Sequence, residues 1–258
     1  MRSFRPKLWT GVGVAVLLGA GLEACSNPQQ GPVAASAPAK ADLKANGEVG
    51  ESGFEKGERG EGGPEGGGEE GAQAAFANIP DASKTALRLA QLEGFVLIAL
   101  KQTEGPEAGG VLLGQGLLET YDKRPDAYPG IDESVLRKAA KTGATVDLQA
   151  ALANIEAAER KAGGDPIAVS KGLVDIASGL YQGAVKPGAL DPIDYQHSLG
   201  AALAAEQVLG RADRSKAAKA AADMRRFVAL WPQTSVPAKP TPAAEVAAQA
   251  SRVELELS

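Results

Sequence analysis

Apolar and polar residues between positions 81 and 258 repeat with the period of an α-helix rather than with that of a strand. In the clearest case, residues 165–186, the apolar stripe consists of Leu173, Ala177, Leu180, Tyr181 and Ala184. A stripe at this spacing predicts an amphipathic helix with one buried face. Alanine is abundant and β-branched runs are short, which also favours helices.

Two dipeptides predict where helices begin: Asp165-Pro166 and Asp191-Pro192. An aspartate at the N-cap accepts hydrogen bonds from free backbone N–H groups, and a proline at the first helical position gives up a donor that has no partner there. Asp132 is a third candidate N-cap. The same periodicity predicts further helices over residues 83–104, 107–122, 132–141, 146–161 and 213–231.

The tail after residue 243 admits two interpretations. Val253, Leu255 and Leu257 alternate with glutamates as in a strand, whereas Val246, Ala250, Val253 and Leu257 follow helical spacing. No hairpin pattern offers a strand a partner, so a helix is predicted. The predicted fold class is therefore all-α, with a single bundle of about six or seven helices over residues 81–258.

Residues 95–100 form an apolar run within the first of these helices. A helix that is apolar on every side is stable only when other elements surround it. The run therefore predicts that this helix lies at the centre of the bundle.

The composition of residues 26–80 does not support a hydrophobic core. Residues 47–71 contain 11 glycines and 8 glutamates among 25 positions. A segment with so little apolar surface does not offset the entropy of ordering, so a disordered acidic tether is predicted. A flexible coil of about 55 residues has a root-mean-square end-to-end distance of roughly 40 Å.

The first 24 residues have the pattern of a signal peptide. Arg2, Arg5 and Lys7 precede an apolar segment at positions 8–22, which is too short for the roughly 20 residues of a membrane-spanning helix. The predicted domains are thus a signal peptide at 1–24, an anchor and tether at 25–80, and a helical domain at 81–258.

The apolar segment ends in the stretch Leu22, Glu23, Ala24 and Cys25, the last being the only cysteine. This stretch resembles the lipobox of bacterial lipoproteins. The resemblance implies cleavage before Cys25, lipidation of its thiol, and, because Ser26 is not the aspartate associated with inner-membrane retention, anchoring in the outer membrane. The alternative is an ordinary secreted protein with a spare thiol.

Charge excludes one class of partner. Residues 81–258 carry 20 basic and 22 acidic residues, and the whole chain has a formal net charge of −5. No basic face of the kind that neutralises phosphates is implied, so nucleic acid is not a predicted partner.

Candidate chemistry is sparse. His197 is the sole histidine, so a two-histidine metal site and a serine or cysteine triad are both excluded within one chain. Its position two residues after Tyr195 predicts that it lies on the side of the helix, and a structural or solvent-facing role is favoured over a ligand role.

Glu93 and Glu104 lie eleven residues apart, which predicts that they share a similar face of the central helix. A carboxylate beside so apolar a run must be paired, partly solvated or functional.

Residues 179–188, GLYQGAVKPG, and 191–196, DPIDYQ, carry one further resemblance. They are similar to a helical segment in the periplasmic extension of oxidase-dependent bacterial iron permeases, and to helical lipoproteins with glycine- and glutamate-rich tethers. Tyr181 and Tyr195 are the tentative binding residues that the resemblance adds. The histidines of those lipoproteins are replaced here by Phe95 and Arg124, so no metal or other cofactor is predicted.

Three functional hypotheses follow. The first is a lipid-anchored, non-catalytic binding or scaffold protein that contacts a transport-related envelope protein, as an accessory to iron or other metal uptake. The second is an envelope enzyme that uses core carboxylates such as Glu93 and Glu104. The third is a purely structural envelope lipoprotein. The first is favoured, because no catalytic motif is present.

We expect Cys25→Ala to move the protein from the membrane fraction to the soluble fraction. Each buried methylene of an acyl chain contributes about 0.8 kcal/mol to membrane binding, and the substitution removes every chain. Fractionation followed by immunoblotting measures the change, with Ser26→Ala as the matched control that stays in the membranes. Retention of Cys25→Ala in the membranes would contradict the predicted anchor.

Overall fold

The computed structural model describes residues 67–258 except residue 187, with side chains from residue 73 onward apart from residues 187 and 216. The predicted signal peptide, Cys25, the lipobox residues Leu22, Glu23 and Ala24, and the first part of the predicted tether lie outside the described residues. Among the helices of the described part, none is long and apolar enough to cross a bilayer.

The described residues form an all-α domain, which confirms the predicted fold class. They contain nine α-helices, one 3₁₀-helix (Pro125–Ala127) and one short hairpin. The α-helices are α1 (Gly67–Asn78), α2 (Asp81–Leu100), α3 (Pro106–Glu119), α4 (Glu133–Thr142), α5 (Thr145–Ala162), α6 (Pro166–Ala184), α7 (Pro192–Leu209), α8 (Arg214–Val228) and α9 (Ala243–Glu256). The hairpin strands are β1 (Val185–Lys186) and β2 (Ala189–Leu190).

Helix α2 lies at the centre of the bundle, as residues 95–100 predict. It packs against α3, α5, α6 and α7. Leu87 and Ile98 face the apolar cluster built with α6 and α7, whereas Leu92 and Val96 face a second cluster built with α3, α4 and α5. The two apolar clusters of the core therefore lie on opposite sides of α2.

The predicted helix starts are confirmed. The side chains of Asp132, Asp165 and Asp191 each accept a hydrogen bond from a backbone N–H group two residues further on. Asp213 does the same at the start of α8. Each cap satisfies a donor that the helix itself leaves free.

Helix α1 corrects the predicted boundary at residue 80. Residues 67–78 are helical where the sequence predicts tether, and Ala75 and Ile79 are buried in the cluster that α6 shares. Packing against α6 supplies the apolar contact that the local composition lacks. From residue 81 onward the described chain has eight α-helices, so the expected six or seven is too few.

The expected absence of hairpins is also wrong. After α6 the chain makes a minimal antiparallel pair, in which Val185 opposes Leu190 and Lys186 opposes Ala189. Gly188 has φ of 78°, a conformation that residues with a Cβ rarely adopt. The tail, by contrast, forms the predicted helix α9.

Helices α2 and α7 cross at a pair of glycines. A Cβ added to Gly94 would lie 2.7 Å from the carbonyl oxygen of Gly200, and a Cβ on Gly200 would lie 2.7 Å from that of Gly94. Both clashes are with backbone, so neither is relieved by a side-chain rotation. The central helix and α7 can therefore approach this closely only without side chains at the crossing.

We expect Gly200→Ala to lower the free energy of unfolding by about 1–3 kcal/mol, because the added methyl group forces two packed helices apart. Gly114→Ala is the matched control, since nothing lies within 4 Å of the Cβ position on that helical glycine. The control should raise stability by about 0.5–1 kcal/mol. Urea unfolding measures both, and equal effects of the two substitutions would contradict a tight crossing.

Candidate functional site

One acidic side chain is carried into the core by the central helix. Glu93 on α2 is 0% exposed. Its Oε1 atom accepts hydrogen bonds from Gln207 Nε2 at 2.6 Å and from Arg211 Nη2 at 2.5 Å. A buried carboxylate needs such donors because transfer from water is otherwise costly.

Helix α5 adds two more acids to the same place. Glu156 and Glu159 are three residues apart and therefore on one face of the helix. Glu159 Oε2 accepts a hydrogen bond from Arg211 Nη1, and Glu156 Oε1 accepts one from Gln207 Nε2 at 2.9 Å. We call these five residues the carboxylate cluster.

Gln207 and Arg211 are brought together by the end of α7. Gln207 lies in its last turn. Arg211 lies four residues after Gln207, directly after the C-cap residue Gly210. Arg211 keeps 33% of its side chain exposed, so its guanidinium reaches inward from the protein surface. The cluster thus joins α2, α5 and α7 through one cation.

Charges within the cluster do not balance. Three carboxylates surround Arg211, and within the described part of the chain the further cation in contact with the cluster is the largely exposed Arg160, 3.8 Å from Glu156. Glu93 Oε2 and Glu159 Oε1 are buried and accept no hydrogen bond from any donor. Burial, and then the charge of Glu159, raise the pKa of Glu93 to about 9, while Arg211 opposes the shift. Burial also raises the pKa of Glu159.

A cavity of about 180 Å³ opens beside the cluster. Its charged lining residues are Glu159, Arg160 and Arg211, and its apolar walls include Ala86, Ala90, Val169 and Val208. An apolar pocket with a few convergent polar groups is the usual form of a small-molecule site. A second, larger groove of about 400 Å³ lies between α7 and α8, and four of its ten lining residues are alanines.

The prediction that Glu93 and Glu104 share a face of the central helix is wrong. Helix α2 ends at Leu100, so the helical spacing that relates the two residues does not extend to Glu104. Glu104 is exposed in the turn before α3. The acids that do meet Glu93 come from α5, which is distant in sequence.

Tyr181 and Tyr195 lie in the core rather than on a binding surface. Both are 0% exposed, and their rings are 5.8 Å apart. The Tyr181 hydroxyl donates to the carbonyl oxygen of Thr241 at 2.8 Å, and that of Tyr195 donates to the carbonyl of Gln233 at 3.3 Å. Through these hydrogen bonds, the two tyrosines attach the connector between α8 and α9 to the core.

His197 is buried, so a solvent-facing role is wrong for it. Its Nδ1 atom lies 3.2 Å from Glu119 Oε2, its ring meets the edge of Phe95 at 4.8 Å, and its Nε2 has no hydrogen-bond partner. Burial lowers the pKa of His197 to about 4, against the opposing charge of Asp191. The neutral imidazole is therefore the form that the fold accommodates.

The fold and the site define a class, an all-α bundle with a buried charge cluster beside a small cavity. Comparisons with protein-family models, with curated proteins and with solved structures found no match to the chain. Within the described residues, no group of three or more histidine, cysteine, aspartate or glutamate side chains is placed to hold a metal ion. The resemblance to iron permeases stays a prediction.

We expect acid to destabilise the wild-type protein more than His197→Gln. Below pH 6.5 the unfolded chain protonates His197, whereas the folded protein does not until about pH 4, so stability is lost as pH falls through this window. The shift corresponds to roughly 3 kcal/mol. Glu119 and Asp191 act on the imidazole and are present in both proteins, so the difference between the two curves isolates His197.

Urea unfolding at half-unit intervals between pH 4 and 7.5 measures the two stabilities. Parallel curves across this window would contradict a buried neutral imidazole.

Proposed function

We propose that this chain is a lipid-anchored envelope protein whose helical domain binds a small molecule without catalysing a reaction. The cavity beside Glu159 and Arg211 is the binding site. The observation that carries the proposal is the combination of apolar walls with fixed charged groups at one end of a cavity of about 180 Å³.

Fixed geometry supports binding over catalysis. Glu93 and Glu159 are both held by Arg211, and Glu93 has no exposed surface. General acid–base catalysis requires a titrating group within hydrogen-bond reach of the reacting atom, and these carboxylates already share their donors with each other. An enzyme that uses core carboxylates such as Glu93 and Glu104 would need them in one pocket, and Glu104 is exposed outside the cluster.

The anchor and the envelope partner remain part of the proposal on sequence grounds. The lipobox at Cys25 supports attachment to the outer membrane. The resemblance at residues 179–196 supports a transport-related partner and an accessory role in iron or other metal uptake. A purely structural lipoprotein is the alternative, and it requires no ligand in the cavity.

We expect a small molecule to stabilise the wild-type protein and not Ala90→Leu. Leucine at position 90 fills the cavity from its wall. At a ligand concentration ten times the dissociation constant, binding adds roughly 1.4 kcal/mol, which is a rise of several degrees in melting temperature for a domain of this size. Thermal unfolding with short alkylamines, alkyl carboxylates and alcohols as probes measures the effect.

Ala150→Leu is the control, since Ala150 is exposed on α5 and does not line the cavity. It should respond to the probes as the wild type does. If no probe distinguishes the wild type from Ala90→Leu, the proposed binding site is wrong.

A further inference from the structure

Helix α8 concentrates positive charge that the composition of the whole domain hides. Of the 20 basic and 22 acidic residues at positions 81–258, this one helix holds five basic residues and one acid. The described side chains of Arg214, Lys219, Arg225 and Arg226 are all exposed. We call the surface that these four residues share the basic face of α8.

The basic face consists of two rows that run along the helix. An α-helix turns by about 100° per residue, so Arg214 and Arg225 lie within about 20° of each other around its axis. By the same rule Lys219 and Arg226 form a second row, about 120° from the first. The positive charges therefore lie along both edges of one side of the helix.

Small residues separate the two rows. The positions between them are Ser215, Ala218 and Ala222. Because these side chains are shorter than those of arginine and lysine, both rows can contact the same plane. On the opposite side of the helix, Met224 and Phe227 are buried in the core, which fixes the rotation of α8 about its axis. The core contacts therefore hold the basic face toward the outside of the domain.

Most of this charge has no partner inside the domain. Arg226 forms an ion pair with Asp223, the acid of the helix, at 2.9 Å. Within the described part of the chain, the other three basic residues of the face form no ion pair. Glu206 on α7 lines the groove beside Arg214 and Arg225 but is paired with neither. The contacts within the fold thus leave these charges available to a partner.

We propose that the basic face of α8 binds the surface of an anionic phospholipid bilayer, the membrane that carries the predicted anchor at Cys25. The proposal rests on the anchor of the proposed function and adds which face of the domain meets the lipid. Lysine and arginine side chains near such a surface are attracted to its negative charge, and the attraction falls off within a Debye length.

The shape of the basic face favours a bilayer over nucleic acid. A helix that reads DNA carries polar side chains that reach the base edges in the major groove. Here the strip between the two rows consists of serine and alanine, and the rows match a plane of phosphate groups instead. The exposed large apolar side chains of the described residues lie outside α8, so the contact is electrostatic and does not enter the hydrocarbon.

Sedimentation with vesicles tests the proposal on the mature chain. The chain from residue 25 with Cys25→Ala carries no acyl chain, so any binding comes from the protein surface. We expect it to bind phosphatidylcholine vesicles that contain about 30% phosphatidylglycerol in about 50 mM NaCl, and to dissociate in about 0.5 M NaCl. No binding to these vesicles, equal binding to pure phosphatidylcholine, or binding that salt does not weaken would overturn the proposal.

Substitutions locate the binding face. Arg214→Gln combined with Arg225→Gln should lower the vesicle partition coefficient about thirtyfold, which corresponds to about 2 kcal/mol for two basic side chains. Lys101→Gln combined with Lys141→Gln is the matched control, since it removes the same charge from exposed positions after α2 and on α4. The control should bind as the parent chain does. Equal losses in the two double variants, both folded by circular dichroism, would show that net charge rather than α8 drives binding.

A DNA duplex of about 20 base pairs tests the other polyanion. If the parent chain binds the duplex but not the vesicles at the same salt concentration, the basic face serves another partner and the bilayer proposal is wrong. Failure of the anchor is distinguishable from this result. It would move the wild-type protein into the soluble fraction while leaving vesicle binding by the unlipidated chain unchanged.

Discussion

The domain is organised by the need to cover the apolar second half of helix α2. Most side chains between Ala86 and Ala99 are buried, whereas Arg88, Gln91 and Leu97 are partly exposed; α6 and α7 lie on one side of the helix and α3 and α5 on the other. Burial of this kind supplies the main stabilising free energy of a globular domain. The same helix approaches α7 so closely at Gly94 that backbone contacts backbone. The positions of the helices around α2, and the spacing between α2 and α7, therefore follow from the sequence of α2.

Glu93 is the exception within that segment, and it explains why the cluster exists. A carboxyl group in the centre of the core must find donors or bind a proton. Here Arg211 and Gln207 donate to one oxygen of Glu93, while burial and the charge of Glu159 raise its pKa and so favour the protonated form. Such an arrangement is costly unless the groups are satisfied together. Of the cluster, Glu159 and Arg211 also line the small cavity beside it.

Much of the fold is predictable from the sequence, because its signals are local. Asp165 and Asp191 mark helix starts by chemistry that acts within three residues, and residues 95–100 indicate burial by composition alone. Helix α1 is not predictable in this way, since its stability comes from contact with α6. The residues of the site differ in the same way. Glu93 can be recognised as a candidate because its neighbours are apolar, but its partner Arg211 lies 118 residues away in the chain. No periodicity distinguishes Arg211 from the other basic residues. The predicted position of Glu104 on the central helix is wrong because the helix ends at Leu100.

The connector after α8 has a spectroscopic consequence. Trp231 is 5% exposed, its indole nitrogen donates to Ser198 Oγ at 2.8 Å, and its ring meets the edges of Tyr181 and Phe227. The other tryptophan of the chain, Trp9, belongs to the predicted signal peptide. If the predicted signal peptide is removed, Trp231 is the single indole of the protein, and it lies where α6, α7 and the connector meet. Its ultraviolet emission is a native fluorophore for the junction between these elements, and needs no attached dye.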